Sequence, residues 1–321
     1  MGRSIASRVA QALVVVALVV TACFIVIRLA PGDPFAQQVA VEGIGADERE
    51  RLRVAFGYDK PLPEQYLRFV ANAARGDFGW SHLRGAPVRS VLGRALPATL
   101  LLVGSALLVG ILIGVPLGAW QAWRHESRAA RWSDSVGLLV LSVPEFVLAL
   151  LLVLGPALAW ELFPINGAAS LVPPAGWAAR VLDRLHHLAL PCLSLALIIA
   201  AVIARHQRAA LLEIRDAPFL RAARARGVPD RRLLWHHALP AALAPSITII
   251  GVMLPALVGG SVLVERVFAW PGMGLALVDA VLARDYHLVV GAVLTGSTGV
   301  VAAGLLADIA VHAVDPRQRS L

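Results

Sequence analysis

The chain has 321 residues, of which 58% are hydrophobic and 16% charged, and its mean hydropathy is +0.72. This composition is too apolar for an ordinary soluble domain and indicates a polytopic membrane protein. The formal net charge is +8, but the arginines stand in short segments between apolar runs, a pattern that favours a membrane protein over a nucleic-acid binder.

The spacing of cysteine and histidine does not indicate a metal site. Cys23 and Cys192 lie inside apolar runs and are interpreted as small buried hydrophobes rather than as a disulfide or a ligand pair. The histidines at 186–187 and 236–237 are adjacent in sequence, so the rings of each pair point to different faces of a helix. We therefore predict no metal in this chain.

The N-terminal part of the chain is predicted to be one membrane span followed by an external segment. The apolar run at about residues 9–30 has a basic start, like a signal peptide, but it continues past Cys23 and is long enough to cross a bilayer, so we favour an uncleaved span. Residues 35–95 are polar, with a short charged helix expected over 47–56. Acidic and basic residues nearly balance there, and long loops cross regardless of charge, so this segment is placed outside.

The second and third spans are predicted at about residues 97–120 and 136–160. Small residues that suit close helix packing recur in the second span, at Gly104, Gly110, Gly114 and Gly118. The third contains Pro144 and Glu145, which are costly in a bilayer unless they line a cavity or meet partners. Glu145 therefore has two open interpretations: it lies on a translocation path, or it lies near the membrane surface or hydrogen-bonds to neighbouring helices.

Three further spans complete a predicted set of six, at about residues 188–204, 241–264 and 288–311. The fifth can bend and pack closely, and the positions concerned are Gly251, Pro255 and Gly259. Arginine bias places both termini and the segments 124–131 and 205–240 inside, and 31–95 outside.

A polar, arginine-rich segment at residues 220–240 separates the fourth span from the fifth. Its alanines favour a helix, Gly227 suits a left-handed turn that ends it, and Pro229 suits the first position of a second short helix. The segment is therefore predicted to be a helix, a glycine turn and a helix.

This segment resembles the EAA loop of ABC importer permeases, whose pattern is Glu-Ala-Ala, three residues, Gly, nine residues, Ile, one residue and Leu-Pro. The matching positions are Ala222, Ala223, Gly227, Leu239 and Pro240. Arg221 stands in place of the glutamate and His237 in place of the isoleucine. The resemblance implies that this loop, at about 213–240, carries a coupling helix that docks on an ATPase subunit. The coupling residues that it implies are Arg221, Ala222, Ala223, Arg224, Arg226, Gly227, Leu239 and Pro240.

Further segments resemble the dipeptide, oligopeptide and nickel branch of these permeases. They are RLAPGDP at 28–34, FGYDKPLP at 56–63, RGDFGWS at 75–81, ERVFAWPGMG at 265–274 and DPR at 315–317. The likeness covers the chain from 28 to 317. It implies that the fifth span, with Gly251, Pro255 and Gly259, lines the translocation path; the alternative is a merely close-packed helix. It implies an all-α permease of the bacterial cytoplasmic membrane with a second homologous permease, two ATPase subunits or domains and an external solute-binding protein as partners. It does not name the substrate, which is a dipeptide, an oligopeptide, a nickel chelate, glutathione or another solute.

The residues themselves supply no energy source. The only lysine is Lys60, and no Gly-Lys-Ser/Thr phosphate loop, H-E-x-x-H or G-x-S-x-G motif is present. ATP and Mg²⁺ are therefore expected only in partner subunits. The alternatives are a self-contained secondary transporter or channel, and an intramembrane enzyme.

We predict three regions: a first span with its external end at 1–34, an external loop at 35–95, and a five-helix permease core at 96–321.

Overall fold

The computed structural model describes residues 2–29 and 60–314, and nearly all of the regular structure there is helical. The charged helix predicted over 47–56 lies outside the described residues. The longer helices are α1 (Gly2–Leu29), α2 (Leu62–Ala74), α3 (Val88–Trp123), α4 (Arg128–Ser142), α5 (Glu145–Leu152) and α6 (Trp177–Ile214). They are followed by α7 (Pro218–Ala225), α8 (Asp230–Arg232), α9 (Leu239–Ala241), α10 (Leu243–Gly260), α11 (Val262–Val267), α12 (Met273–Leu282) and α13 (Tyr286–Val314). Two π-helical segments, π1 (Val153–Ala159) and π2 (Leu233–Ala238), continue α5 and α8. A short antiparallel hairpin pairs β1 (Trp80–Ser81) with β2 (Ala86–Pro87).

Four helices are long and apolar enough to cross a membrane, namely α1, α3, α6 and α13. Two helix pairs pass the same test only together: α4 with α5 and π1, bent by 105°, and the segment Asp230–Ala241 with α10, bent by 53°. The described residues therefore hold four to six candidate spans, and the fold is all-α apart from the hairpin.

The third predicted span is broken, which corrects the expectation of one continuous helix over 136–160. Helix α4 ends at Ser142, and Val143 is extended, with φ −88° and ψ 128°. Pro144 explains the break, because proline offers no N–H and disfavours helical geometry in the residue before it. Glu145 is consequently the first residue of α5, at the break between the two helices.

Several helices begin before the spans predicted for them. Helix α3 begins at Val88, inside the segment 35–95 predicted to be external, and helix α6 begins at Trp177, ahead of the span predicted at 188–204. Helix α12 lies between the fifth and sixth predicted spans. Apolar runs mark the thickness of a bilayer rather than the ends of a helix, so polar turns that extend a span are missed.

The chain divides into two compact units. The first comprises Met1–Leu96 and Ala276–Val301. In it, the buried carboxylate of Asp285 accepts hydrogen bonds from the Ser81 hydroxyl at 2.6 Å, from the Leu83 amide at 3.1 Å and from the Leu288 amide at 3.1 Å. One buried side chain thus ties the hairpin to the start of α13.

The second unit comprises Pro97–Leu275 and Ala302–Leu321, and it contains a close contact between α3 and α6. Three of the predicted small residues face α6, namely Gly110, Gly114 and Gly118. A Cβ atom at Gly114 would lie 2.7 Å from the carbonyl oxygen of Ala200, and one at Gly118 would overlap the carbonyl group of Ala204. Gly104 differs from the prediction, because a Cβ there would meet nothing within 4 Å. Glycine therefore lets the two backbones approach.

Candidate functional site

Residues 213–240, called the arginine loop below, lie in the second unit. Helix α7 turns one face inward, where Leu220 and Ala223 are buried. These side chains pack in an apolar cluster with residues near the end of α3, such as Ala119, and near the end of α6, such as Leu211. The inner face of α7 therefore fixes this short helix against two candidate spans.

A glycine turn ends α7 as predicted. Gly227 has φ +80°, the left-handed conformation in which other residues are strained. Its amide donates to the Arg224 carbonyl at 2.9 Å, and the Val228 amide donates to the Ala223 carbonyl at 3.2 Å. This pair of bonds is the Schellman arrangement, and half-buried Val228 joins the same apolar cluster as Ala223.

The segment after the turn differs from the prediction by one residue. Pro229 is extended, with ψ 146°, and precedes the helix instead of starting it. Helix α8 begins at Asp230 and continues through π2 into α9, with Leu233 and Leu234 buried. The predicted sequence of helix, glycine turn and helix is otherwise confirmed.

The outer face of the arginine loop is basic. Its exposed arginines are Arg221, Arg224, Arg226, Arg231 and Arg232. The guanidinium of Arg224 lies 5.5 Å from the centre of the Trp123 ring, a distance suited to a cation–π interaction. Of the other predicted coupling residues, Ala222 and Pro240 are exposed and Leu239 is half-buried. A positive surface with a fixed backbone is therefore presented by α7.

The residues predicted for a translocation path lie on α5 and α10. Glu145 is half-buried, and its Oε1 atom is buried without a hydrogen-bond partner among the described residues. The assignment of Glu145 to a translocation path therefore stays a prediction. Gly251 is buried in α10, which packs on α6, whereas the surroundings of Pro255 and Gly259 lie outside the described side chains.

The sequence analysis did not single out Glu265, a buried carboxylate that fixes the segment after α10. Its oxygens accept hydrogen bonds from the Thr99 hydroxyl at 2.7 Å, the Ser261 hydroxyl at 3.2 Å and the Leu275 amide at 3.0 Å. Burial raises the pKa of this carboxyl, and the hydrogen bonds act in the opposite direction. The available signal was a carboxylate at the end of an apolar run, three residues before the start of Phe-x-Trp-Pro-Gly-x-Gly at Phe268.

The glycines of that motif are explained by the same carboxylate. A Cβ at Gly272 would overlap the Glu265 carboxyl group, and one at Gly274 would lie 2.8 Å from its Oε2. The Thr99 hydroxyl also accepts a hydrogen bond from the Met273 amide at 2.8 Å. The motif therefore wraps its backbone around one buried acidic side chain.

Glu265→Gln is expected to lower the stability of the protein by about 1–3 kcal/mol, because the new amide nitrogen faces a donor wherever it is placed. Thermal unfolding of the detergent-purified protein measures the effect. Glu64→Gln is the matched control, since Glu64 forms only an exposed pair with Arg68 and should change little. Equal unfolding midpoints for Glu265→Gln and the unmodified chain would contradict this role.

The all-helical architecture, with its four to six candidate spans, defines a multi-pass membrane protein. Residues 114–320 match the family described as binding-protein-dependent transport system inner membrane component, and residues 1–103 match the N-terminal family of such membrane components. The chain belongs to this family of inner membrane components, and it is a permease subunit of an ABC importer and not itself an enzyme.

Curated relatives cover most of the chain. An oligopeptide transport system permease protein, AppB of Bacillus subtilis (strain 168), is 36% identical over 297 residues, 92% of each chain. The OppB oligopeptide permease of Mycobacterium bovis is 40% identical over 268 residues, 82% of each chain. A putative peptide transport system permease protein of Brucella abortus (strain 2308) is 36% identical over 320 residues, 98% of each chain.

Solved structures support the fold. A chain of the MetNI methionine ABC transporter, crystallised in inward facing conformations, superposes with a TM-score of 0.56 and 21% identity, covering 70% of this chain and 96% of that one. A second crystal form gives a TM-score of 0.55 and 20% identity over the same shares. At this level of identity the similarity concerns the helical fold alone.

Proposed function

We propose that this permease subunit imports peptides, either dipeptides or oligopeptides, and that the arginine loop transmits the force of ATP hydrolysis to it. The observation that carries the proposal is the fixed, basic outer face of α7, held by the Schellman turn and by the buried Leu220 and Ala223. Arg224 lies over the Trp123 ring, whereas the side chain of Arg221, on the same helix, makes no hydrogen bond or ion pair with the described residues. The peptide substrate is supported by the names of relatives that match most of the chain.

The partners follow from the same proposal. Two ATPase subunits or domains bind ATP and Mg²⁺, a second homologous permease completes the path, and an external solute-binding protein delivers the substrate. The arginine loop docks in a groove of one ATPase, and acidic residues in that groove suit its positive charge. Arg221, in place of a glutamate, makes this contact positive where the general pattern is negative.

Transport proceeds by alternating access in this proposal. Closure of the ATPases pulls α7, and the spans reorient around a central path lined from α5 and α10. Glu145 contributes the unpaired buried oxygen at the α4–α5 break, and Gly251, Pro255 and Gly259 allow α10 to pack closely or bend. A protonated peptide amine is a suitable partner for such a carboxyl group.

Reconstitution tests the proposed function. The chain, purified with the proteins that accompany it, is inserted into vesicles with the external binding protein, and uptake of a labelled peptide series is measured with and without ATP. ATP-dependent peptide uptake is expected. Uptake driven by an ion gradient in the absence of any ATPase would instead support a self-contained secondary transporter.

The isolated chain is expected neither to bind nor to hydrolyse ATP. Its single lysine, Lys60, precedes a proline, so it cannot form the Gly-Lys-Ser/Thr loop that holds nucleotide phosphates. Equilibrium binding of labelled ATP measures this directly, and a preparation containing the co-purified ATPase is the positive control. Stoichiometric ATP binding by the isolated chain would contradict the assignment of the nucleotide to the partners.

Six spans with both termini in the cytoplasm are part of the proposal. Single cysteines at Asp47 and Asp230, in a chain that lacks Cys23 and Cys192, are expected to differ in reaction with an impermeant thiol reagent on intact cells. The Asp47 position should react because the segment 35–95 is external, whereas Asp230 should react only after the cells are opened. Labelling at Asp230 but not at Asp47 would reverse this topology.

A further inference from the structure

A groove on the second unit is not used by the proposed coupling mechanism. It has a volume of about 340 Å³ and is bordered by α3, α4 and α6. Its walls are mostly apolar along their length, with Ile113, Leu117, Leu141 and Leu197 among the lining side chains. An apolar wall of this kind on a membrane protein suits a hydrocarbon chain.

The groove has one polar end, near the connection between α3 and α4. Gln121 is only 2% exposed there; its Nε2 donates to the Ser133 hydroxyl at 2.9 Å, while its Oε1 has no hydrogen-bond partner among the described residues. A buried acceptor of this kind requires a donor, because leaving it unpaired is costly. Gln121 and Ser133 both line the groove and make this end polar.

The charged groups at this end favour an anionic occupant. Arg205 lines the groove and is exposed, whereas the carboxylate of Asp134 already lies 3.6 Å from the guanidinium of Arg208. One positive charge is therefore left over at the mouth. Trp132 also borders the groove and is 74% exposed, in the manner of aromatic residues that lie at the level of lipid headgroups.

We propose that this groove binds a membrane phospholipid of the phosphatidylglycerol type. One acyl chain lies along the apolar walls, and the phosphate lies against Arg205. A phosphatidylcholine headgroup carries no net charge to match Arg205. The site is thus selective for the headgroup as well as for hydrocarbon.

Quenching of tryptophan fluorescence by bromine atoms on the acyl chain tests the proposal. Full-length protein in detergent is titrated with brominated phosphatidylglycerol or brominated phosphatidylcholine, and the signal of Trp132 is obtained by subtracting that of Trp132→Phe. Saturable quenching by phosphatidylglycerol is expected, with at least about ten-fold weaker binding of phosphatidylcholine. Arg205→Gln should reduce the preference between the two lipids.

Gly137 allows the groove itself to be filled. It lines the groove, and a Cβ there would meet nothing within 4 Å, so Gly137→Phe can project into the space without displacing the backbone. This variant should lose the saturable quenching, and Gly137→Ala should keep it. Arg184→Gln, near the other end of α6, controls for loss of charge and should keep the preference for phosphatidylglycerol.

Two results would overturn the proposal. Equal quenching by both lipids that Gly137→Phe does not change would show only the ordinary lipid layer around a membrane protein. Absence of quenching, together with disulfide cross-linking of a cysteine at Gly137 to another subunit, would show that a protein helix fills the groove.

Discussion

Gly227→Val is expected to abolish substrate uptake while the protein remains in the membrane. A β-branched residue is strained at φ +80°, at a cost of roughly 1–2 kcal/mol. That cost is small beside the packing of the spans, so insertion should survive. If the turn relaxes, the bonds from Gly227 to Arg224 and from Val228 to Ala223 break, and the basic face of α7 changes direction. The expected loss is therefore in coupling rather than in folding.

Two substitutions separate backbone geometry from side-chain bulk at this position. A Cβ at Gly227 would meet nothing within 4 Å, so size alone does not forbid a larger residue. Gly227→Asn should retain most uptake, because asparagine tolerates the left-handed conformation, and Gly227→Ala should be intermediate. Membrane abundance, ATPase co-purification and uptake are measured together. Normal uptake by Gly227→Val would reduce the arginine loop to a connector.

Gly118→Val is expected to prevent accumulation of folded protein. The added side chain would overlap the backbone of Ala204, which cannot turn aside as a flexible side chain can. Separating α3 from α6 would also disturb the cluster that holds Leu220 and Ala223. Overpacking at ordinary core sites costs about 1–3 kcal/mol, and a clash with a helix backbone lies at the upper end or beyond.

Gly104→Val is the matched control, because it lies on the same helix and a Cβ there would meet nothing within 4 Å. Protein abundance in membranes and the size-exclusion profile in detergent measure both variants. The Gly104 variant should resemble the unmodified protein, whereas the Gly118 variant should be aggregated or degraded. Similar profiles for the two variants would contradict the α3–α6 contact.

The sequence predicted those parts of the molecule whose conformation depends on residues that are adjacent along the chain. The turn at Gly227 requires a conformation that only a few residue types adopt, and its helix is set by the alanines just before it. The residues of the translocation path and the contacts of the coupling helix could not be predicted in this way. They depend on partner subunits or on side-chain surroundings that one chain does not determine. They remain predictions tied to the resemblance.

Long-range pairing was the main source of what the sequence analysis missed. Glu265 acquires its role from Thr99, which lies far away in sequence, so no local pattern shows the pair. The break at Pro144 was open to prediction, but apolar residues on both sides gave a continuous hydropathy signal over the third span. Hydropathy reports the solvent around a segment, and it is insensitive to the direction in which the chain runs.

The length of α6 has a mechanical consequence. Its 38 residues form one helix that ends beside the arginine loop, and at 1.5 Å per residue it is about 57 Å long. Such a rod acts as a lever arm: a tilt of about 5° about one end displaces the other by about 5 Å. Because Gly114 and Gly118 bring α3 into direct backbone contact with α6, we expect the two helices to move together. A small rotation of α6 at its arginine-loop end therefore corresponds to a displacement of several ångströms at its other end.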